Sequence, residues 1–489
     1  MHAASEPDAG GRLGLIVRVR IVWDETRIAG VPIRRLAVFE PCYLVDPQHP
    51  KPGDDFGFPR LNRGGEQSCR DSRLASDLGY ACRCRHEFCS VLRGLDQCGT
   101  GYTVDGQNPA IALMVLAPIR MKVFAGPARL PGQESRHTRS VGFIMKAIVY
   151  RETGAPSVLH LVERPVPEPE AGEVRIRIVV SGVNPTDWKS RIGSKPGDPL
   201  AFAEIVPNQD GAGVVDAVGS GVHRFAVGDR VWTAIAAFQS ASGGTAQEFT
   251  VLPENCVYPL PDAASFDLGA SLGVPALTAH RALTVAEDGP SRLSPGALAG
   301  KTVLVAGGAG AVGHATIQLA RWAGATVITT ISSPAKATLA RAAGAHHVVN
   351  YRETDAAFEI RRLAPDGVDL IVEVAPDTNA ELDGKVIRNR GSIAVYASTG
   401  DPLVLDIRVL MTLNVRYQFQ LLYTQGQDVR DAAAADINAA IIDGALPIGD
   451  DVGLPLHRYS LAETADAHAA VEGDIVGKVL IDVRPAGED

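Results

Sequence analysis

The segment TVLVAGGAGAVGHATIQLARWAG at residues 302–324 decides the fold of this chain. A β-branched run predicts a strand, the glycine-rich letters predict a tight turn, and the amphipathic stretch after them predicts a helix. The glycines have G-x-G-x-x-G spacing, which lets the backbone approach a pyrophosphate at the helix start. A second β-branched run at 325–332 completes a βαβ unit, so we expect a dinucleotide here rather than glycines that serve only a sharp turn. The predicted pyrophosphate-binding residues are Gly308, Gly310, Ala311, Val312 and Gly313.

Length and charge limit the class of protein. A chain of 489 residues exceeds one hydrophobic core and should form two or three domains. Its formal net charge of -9 argues against a nucleic-acid-binding surface, and its apolar runs are too short to span a bilayer. Arginines interrupt the apolar stretch near the N-terminus, where a signal peptide would need a continuous apolar core. We therefore expect a cytoplasmic protein without nucleic-acid or membrane partners.

The first 144 residues differ in composition from the rest of the chain. They contain six of the seven cysteines and only two lysines, beside many arginines. We predict that this segment is an N-terminal extension, poorly ordered or not part of the native protein. One cysteine cluster could indicate a zinc site, but its spacing differs from the usual pattern of two pairs of ligands. We therefore interpret these cysteines as unpaired thiols. The cluster consists of Cys82, Cys84, His86, Cys89 and Cys98.

A regular pattern begins at Met145. Short alternating runs joined by glycines predict a small β-rich barrel as far as residue 270. Alternating strands and helices then predict a doubly wound unit, and a final helix and strand return the chain to the β-rich part. The predicted domains are therefore a β-rich domain at 145–270 and 424–489 and a Rossmann domain at 271–423.

Strings in a fixed order carry a family resemblance across residues 145–484. They are MKAIVY, SGVNPTDWK, GAGVVDAVGSGVHRFAVGDRVW, GGTAQEFT, GVPALTAHRAL, VLVAGGAGAVGHATIQLAR, AGAHHVVNYRE and GKVLIDV. The chain resembles the zinc-independent medium-chain dehydrogenases/reductases, in particular the zeta-crystallin-like NADPH:quinone reductases. The resemblance implies an α/β fold, with a Rossmann doubly wound parallel sheet, a GroES-like β-rich catalytic domain and NADPH in the cleft between them. It also implies a homo-oligomer, dimer or tetramer, joined through Rossmann edge strands, with the apolar segment 393–405 as the candidate interface.

The resemblance also bears on metal chemistry. Where the alcohol dehydrogenase branch has a zinc-binding cysteine and histidine, this chain has Asn184 and Gln209. Side-chain amides are poor zinc ligands, so we expect a metal-free active site. Without a Lewis acid, the favoured substrates are those that accept hydride unaided, with quinones first and activated enones second.

Further site residues follow from the resemblance. Asn184 is expected beside the nicotinamide, although an Asx turn before Pro185 would also explain it. Thr278 is expected on the nicotinamide side, with a core or capping role as the alternative. The family often has an aromatic residue near the position of Lys189, whereas this chain has Trp188 one place earlier, so both are substrate-side candidates. Positions expected to line the cofactor cleft, for which packing is an equally good account, are Ala375, Tyr396, Ala397, Ser398, Phe419, Gln420, Leu421 and Lys478.

The end of the second Rossmann strand decides between NADPH and NADH. An NAD enzyme usually has Asp or Glu there, about twenty residues after the glycine motif, whereas this chain has Ser332 and Ser333. Lys336 follows as a positive charge, with a solvated surface lysine as the alternative. Tyr351 occupies the position from which relatives reach the adenosine phosphate. We therefore expect a preference for NADPH.

Three functions remain open from the sequence. The first is NADPH-dependent reduction of quinones by hydride transfer without metal. The second is a zinc-free reductase of enones or enoyl thioesters with the same fold, and the third is a non-catalytic NADPH-binding protein. No side chain has to act as a general acid, because a quinol oxyanion takes its proton from water and stacked rings need mainly positioning.

Overall fold

The computed structural model describes residues 143–194, 198–240 and 242–484, together with the backbone of four short strands among residues 1–142. Apart from the backbone of one such strand, the cysteine cluster of the extension lies outside the described residues, and its interpretation stays a prediction. Among the described residues, no helix combines the length and the apolar character needed to cross a lipid bilayer.

The chain divides into two compact units, residues 1–133 and 134–489. In the first unit the described backbone forms two antiparallel strand pairs. These pairs are β1 (Trp23–Ile28) with β2 (Val31–Leu36), and β3 (Leu44–Val45) with β4 (Ala81–Cys82).

The second unit contains the elements that position the candidate site. Its strands are β5 (Ile144–Val149), β6 (His160–Pro165), β7 (Glu173–Val183), β8 (Asp210–Val218), β9 (Arg230–Thr233), β10 (Phe249–Pro253), β11 (Val257–Pro259), β12 (Thr302–Ala306), β13 (Thr326–Ile331), β14 (His347–Asn350), β15 (Val368–Glu373), β16 (Ile387–Val395), β17 (Arg416–Phe419), β18 (Leu456–Ser460) and β19 (Lys478–Asp482). Its helices are α1 (Pro185–Ile192), α2 (Ala236–Gln239), α3 (Phe266–Leu283), α4 (Ala311–Trp322), α5 (Pro334–Ala342), α6 (Ala356–Leu363), α7 (Pro376–Val386), α8 (Ile407–Thr412), α9 (Gln427–Ile442) and α10 (Thr464–Glu472).

Strand β7 is central to the β-rich lobe. It pairs antiparallel with β8 on one side and with β10 and β19 on the other, which gives the order β11-β9-β8-β7-β19-β18. Alternate residues of β7, from Val174 to Val180, are buried, as the period of two in a half-buried strand requires. Because β19 comes from a distant part of the chain, two separate segments build this lobe.

Six parallel strands form the Rossmann lobe in the order β14-β13-β12-β15-β16-β17. Val303 and Val305 of β12 enter one apolar cluster and Leu304 enters another, so both faces of the sheet are covered. The strand order reverses between β12 and β15, and this reversal opens a crevice at the carboxyl ends of the strands, where doubly wound sheets bind ligands. The sheet is the doubly wound one that the sequence predicts.

Helix α3 connects the two lobes. It begins after Ser265, whose side chain accepts a hydrogen bond from the backbone N–H of Leu268. It packs on β8 of the β-rich lobe and on α4 of the Rossmann lobe. The helix therefore runs through the predicted domain boundary at 270/271, because both lobes share it.

The segment 393–405, predicted as an interface at the edge of the Rossmann sheet, does not begin at an edge strand. Ile393 lies in β16 and pairs with Ile371 of β15 on one side and with Tyr417 of β17 on the other. A strand that is paired on both sides has no free backbone groups for a second chain. The interface prediction for 393–405 is therefore wrong in its strand part. Among the described strands, the edges of this sheet are β14 and β17.

Candidate active site

The glycine turn after β12 leaves open space above the start of α4. A Cβ added at Gly308 would collide with the hydroxyl of Thr329, and one added at Gly313 would collide with the carbonyl of Gly307. These two glycines are thus required by close packing. A Cβ at Gly310 would lie 3.6 Å from the Gly307 oxygen and meet nothing nearer, so this glycine lets a bound group approach the backbone.

The first turn of α4 adds hydrogen-bond donors to the same space. The helix begins at Ala311, which is half-buried like Val312, whereas Gly310 before it is exposed. N–H groups in the first turn of a helix have no intrahelical partner and carry the positive end of the helix dipole. The turn and the helix start therefore fit a pyrophosphate.

The four residues predicted for the adenosine phosphate lie together at the carboxyl ends of β13 and β14. Ser333 is the N-cap of α5, and its hydroxyl accepts from the backbone N–H of Lys336 at 3.3 Å. Tyr351 donates its backbone N–H to Ile331 at the end of β13 and has a 51% exposed side chain. Ser332 and Lys336 are half-buried.

Asn184 is held by a buried set of polar contacts that we call the Asn184 clamp, made of Asn184, Asp210 and Lys478. The amide of Asn184 donates to Asp210 Oδ2 at 2.7 Å and accepts from Lys478 Nζ at 2.8 Å. Lys478 Nζ also lies 3.4 Å from Asp210 Oδ2. Asn184 is 2% exposed and Lys478 1% exposed, so the ammonium group lies beneath Asn184 and not in the open cleft.

A second carboxyl group, that of Asp187, supports the clamp from α1. Its two oxygens accept the backbone N–H groups of Asn184 at 2.7 Å and of Gln209 at 3.1 Å. Burial, followed by the nearby charge of Asp210, raises the pKa of Asp187 to about 8. Burial also raises the pKa of Asp210 and lowers that of Lys478, against the attraction between them. Neither carboxyl group was predicted from the sequence. Asp187 had a local signal, the three-residue spacing of a capping box with Asn184, whereas the role of Asp210 appears only when β7, β8 and β19 are adjacent.

The backbone and side-chain oxygens of Gln209 both accept hydrogen bonds from the protein. Its carbonyl accepts the N–H of Ala236 at 3.0 Å, and its side-chain Oε1 accepts the N–H of Phe238 at 3.1 Å. The side-chain oxygen of Asn184 is likewise engaged, by Lys478. Each of these amide oxygens therefore already accepts a hydrogen bond from the protein.

Comparison with known proteins identifies the family. A model of the alcohol dehydrogenase GroES-like domain matches residues 170–262, and a model of the zinc-binding dehydrogenase matches residues 311–437. The quinone oxidoreductase of Rattus norvegicus is 38% identical over 259 residues, which cover 53% of this chain and 74% of that protein. The chain belongs to the zeta-crystallin-like quinone oxidoreductase family. The human quinone oxidoreductase is 34% identical over 329 residues, or 66% of this chain and 93% of that protein.

A solved structure supports the same family. A mycobacterial protein complexed with NADPH is 31% identical, covers 69% of this chain and 99% of its own, and superposes with a TM-score of 0.58. The predicted fold class, a Rossmann sheet with a GroES-like β-rich lobe, is confirmed. The predicted family resemblance is confirmed as well.

The remaining positions expected from the family lie around the same crevice. Thr278 is buried on α3, and its carbonyl accepts from the side chain of Gln420 at 3.3 Å. Ala375 follows β15, whereas Phe419 at the end of β17 is 58% exposed. Tyr396, Ala397 and Ser398 follow β16, and Leu421 follows Gln420.

Trp188 and Lys189, the substrate-side candidates, both lie on α1. The Lys189 ammonium is 5.7 Å from the centroid of the Trp188 ring, within the range of a cation–π contact. One face of the indole is therefore occupied by a neighbour on its own helix.

Two buried acidic residues, Glu373 and Asp383, lie near the loop at Ala375. Neither was predicted from the sequence. Glu373, at the end of β15, accepts the N–H of Ala375 at 2.6 Å and the amide of Asn379 at 3.0 Å. Burial, followed by the charge of Glu373, raises the pKa of Asp383 to about 9. The two contacts of Glu373, to Ala375 and Asn379, hold the loop at Ala375 in place.

Proposed function

We propose that the protein reduces quinones with NADPH by hydride transfer and without a metal ion. The observation that carries this proposal is the Asn184 clamp. At the place of a zinc-binding thiolate it presents an amide whose oxygen already accepts from Lys478 at 2.8 Å. An amide in this place is a poor zinc ligand, which favours substrates that accept hydride without a Lewis acid.

NADPH fits the residues of the Rossmann lobe. When bound, it supplies the hydride. The glycine turn and the first turn of α4 would hold its pyrophosphate, with the open position at Gly310 allowing the approach. Ser332, Ser333 and Lys336 would hold the 2′-phosphate, since hydroxyl, amide and ammonium donors suit its oxygens. The mycobacterial structure complexed with NADPH supports NADPH as the cofactor.

The clamp would fix the substrate side of the site. Asn184 cannot rotate without breaking bonds to two buried charged groups, so the wall of the site beside it would be rigid. Quinones suit such a site because the reduced product is an aromatic oxyanion that takes its proton from water. A cytoplasmic location stays a prediction from the sequence.

The test is NADPH oxidation by enzyme treated exhaustively with a chelator. We expect turnover with 1,4-benzoquinone and 9,10-phenanthrenequinone, slower turnover with a short enone, and no oxidation of a simple alcohol with NADP⁺. Untreated enzyme is the control. Turnover that is lost on chelation and restored by zinc would contradict the metal-free mechanism, and oxidation of NADPH by none of these acceptors would contradict the activity.

A further inference from the structure

Two aromatic rings lie close together on the catalytic side of the cleft. The ring centroids of Phe238 and Tyr423 are 5.2 Å apart, with an interplanar angle of 50°, a normal geometry for an aromatic pair. Phe238 is 56% exposed. An exposed ring beside a second aromatic ring offers an apolar surface against which a flat ligand can pack.

The position of Phe238 is specified by its neighbours. Ile235 precedes it with φ of 54°, a left-handed conformation that is strained for a β-branched residue. The Ile235 side chain is 1% exposed and anchors the turn in the core. The N–H groups of Ala236 and Phe238 then bond to the carbonyl and side chain of Gln209. The protein thus holds a strained turn that leaves Phe238 exposed.

Tyr423 brings the pair to the substrate side of the cleft. Its hydroxyl donates to Thr186 Oγ1 at 2.7 Å, and Thr186 is two residues after Asn184. Gln420, three residues before Tyr423, bonds to the carbonyl of Thr278. Burial, followed by the charge of Asp187, raises the pKa of Tyr423, so the hydroxyl keeps its proton and the bond to Thr186 persists.

Resting on the proposed function, we propose that Phe238 and Tyr423 form an aromatic wall that receives the ring of the substrate and favours fused planar quinones over single-ring quinones. A flat ring system can lie against the exposed face of Phe238, and contact grows with the number of fused rings. A single ring covers little of this face. The two residues are specificity determinants and take no part in hydride transfer.

The test compares 9,10-phenanthrenequinone with 1,4-benzoquinone. For Phe238→Ala we expect kcat/KM to fall by about tenfold or more with the three-ring quinone and by less than about twofold with the single-ring quinone. Tyr423→Phe keeps the ring and should retain the preference, whereas Tyr423→Leu keeps apolar volume without the ring and should lose it. Phe358→Ala, which removes a 64% exposed phenylalanine on α6, is the matched control and should change neither value.

Binding measured without turnover separates this inference from the activity itself. Enzyme loaded with NADP⁺ cannot donate hydride, so the affinity for 9,10-phenanthrenequinone can be titrated directly. We expect weaker binding to Phe238→Ala than to the wild type. Equal binding, or equal losses of kcat/KM for both quinones, would overturn the aromatic wall. Absence of turnover in the wild type would instead overturn the proposed activity, whatever the binding result.

Discussion

Lys336 tests cofactor choice at the scale of one residue. If it contacts the 2′-phosphate, Lys336→Ala should weaken NADPH binding by about one to two orders of magnitude, because a charge-assisted hydrogen bond contributes about 1.5–3 kcal/mol. NADH has no phosphate there, and its affinity should stay nearly unchanged. Dissociation constants from fluorescence titration provide the measurement.

A suitable control is Lys385→Ala. This lysine is on α7, 57% exposed, and pairs with Glu381 at 2.6 Å. The Lys385→Ala substitution should change the affinity for neither NADPH nor NADH. Equal losses for both cofactors in Lys336→Ala, or a wild-type preference for NADH, would show that the phosphate lies elsewhere.

The sequence predicts individual site residues when they lie within one short contiguous motif. Asn184 stands in the string SGVNPTDWK, and the structure places it at the centre of the clamp. Its partners could not be found in this way, because Asp210 is 26 positions away and Lys478 is 294. Phe238 was missed for another reason: nothing in the sequence shows that Ile235 adopts a left-handed conformation.

At the scale of elements, the glycine turn offers a matched pair of substitutions. Gly308→Ala puts a Cβ into Thr329 and should lower the free energy of unfolding by about 1–3 kcal/mol. Gly310→Ala meets nothing within 3.6 Å and should change it by less than about 0.5 kcal/mol. The added methyl group would occupy the approach path of the pyrophosphate, so NADPH affinity should fall about tenfold or more.

Urea unfolding and cofactor titration separate the two effects. A Gly310→Ala variant that binds NADPH like the wild type would contradict the placement of the pyrophosphate above this turn. A Gly308→Ala variant of unchanged stability would contradict the close packing on Thr329.

Strands and helices in which apolar residues recur at a regular spacing were predicted well. The strand, turn and helix of residues 302–324 appear as β12, the glycine turn and α4. The lateral order of strands was not available from the same pattern, because the sequences of β16 (IRNRGSIAV) and β17 (RYQF) do not show which strands they pair with. Only the pairing shows that β17, and not β16, lies at an edge of the sheet. The limits of the domains stay predictions. Helix α3 packs on both lobes, so the amino-acid composition does not change at the point where one lobe ends and the other begins.

At the scale of the whole molecule, we propose that copies associate through β17 and α8. β17 pairs only with β16 among the described strands, and nearby apolar side chains are exposed: Val404 by 79%, Ile407 by 60% and Met411 by 71%. Exposed apolar groups beside an open sheet edge are typical of an interface.

Sedimentation velocity tests this association. The wild type should sediment as a dimer or tetramer, and Met411→Glu should shift it towards monomer, because a carboxylate would be buried without a partner. Ile442→Glu, at a 75% exposed position on α9, is the matched control. A wild type that is monomeric at micromolar concentration would contradict the proposal.

The clamp also has a consequence for synthesis of the chain. Lys478 leaves the ribosome 294 residues after Asn184, which at ordinary translation rates is about 15 to 60 s later. During that interval Asp210 lacks the ammonium group of Lys478, and β7 lacks its partner β19. Translation of the β-rich lobe starts before that of the Rossmann lobe and ends after it. The β-rich lobe is therefore incomplete throughout the synthesis of the Rossmann lobe.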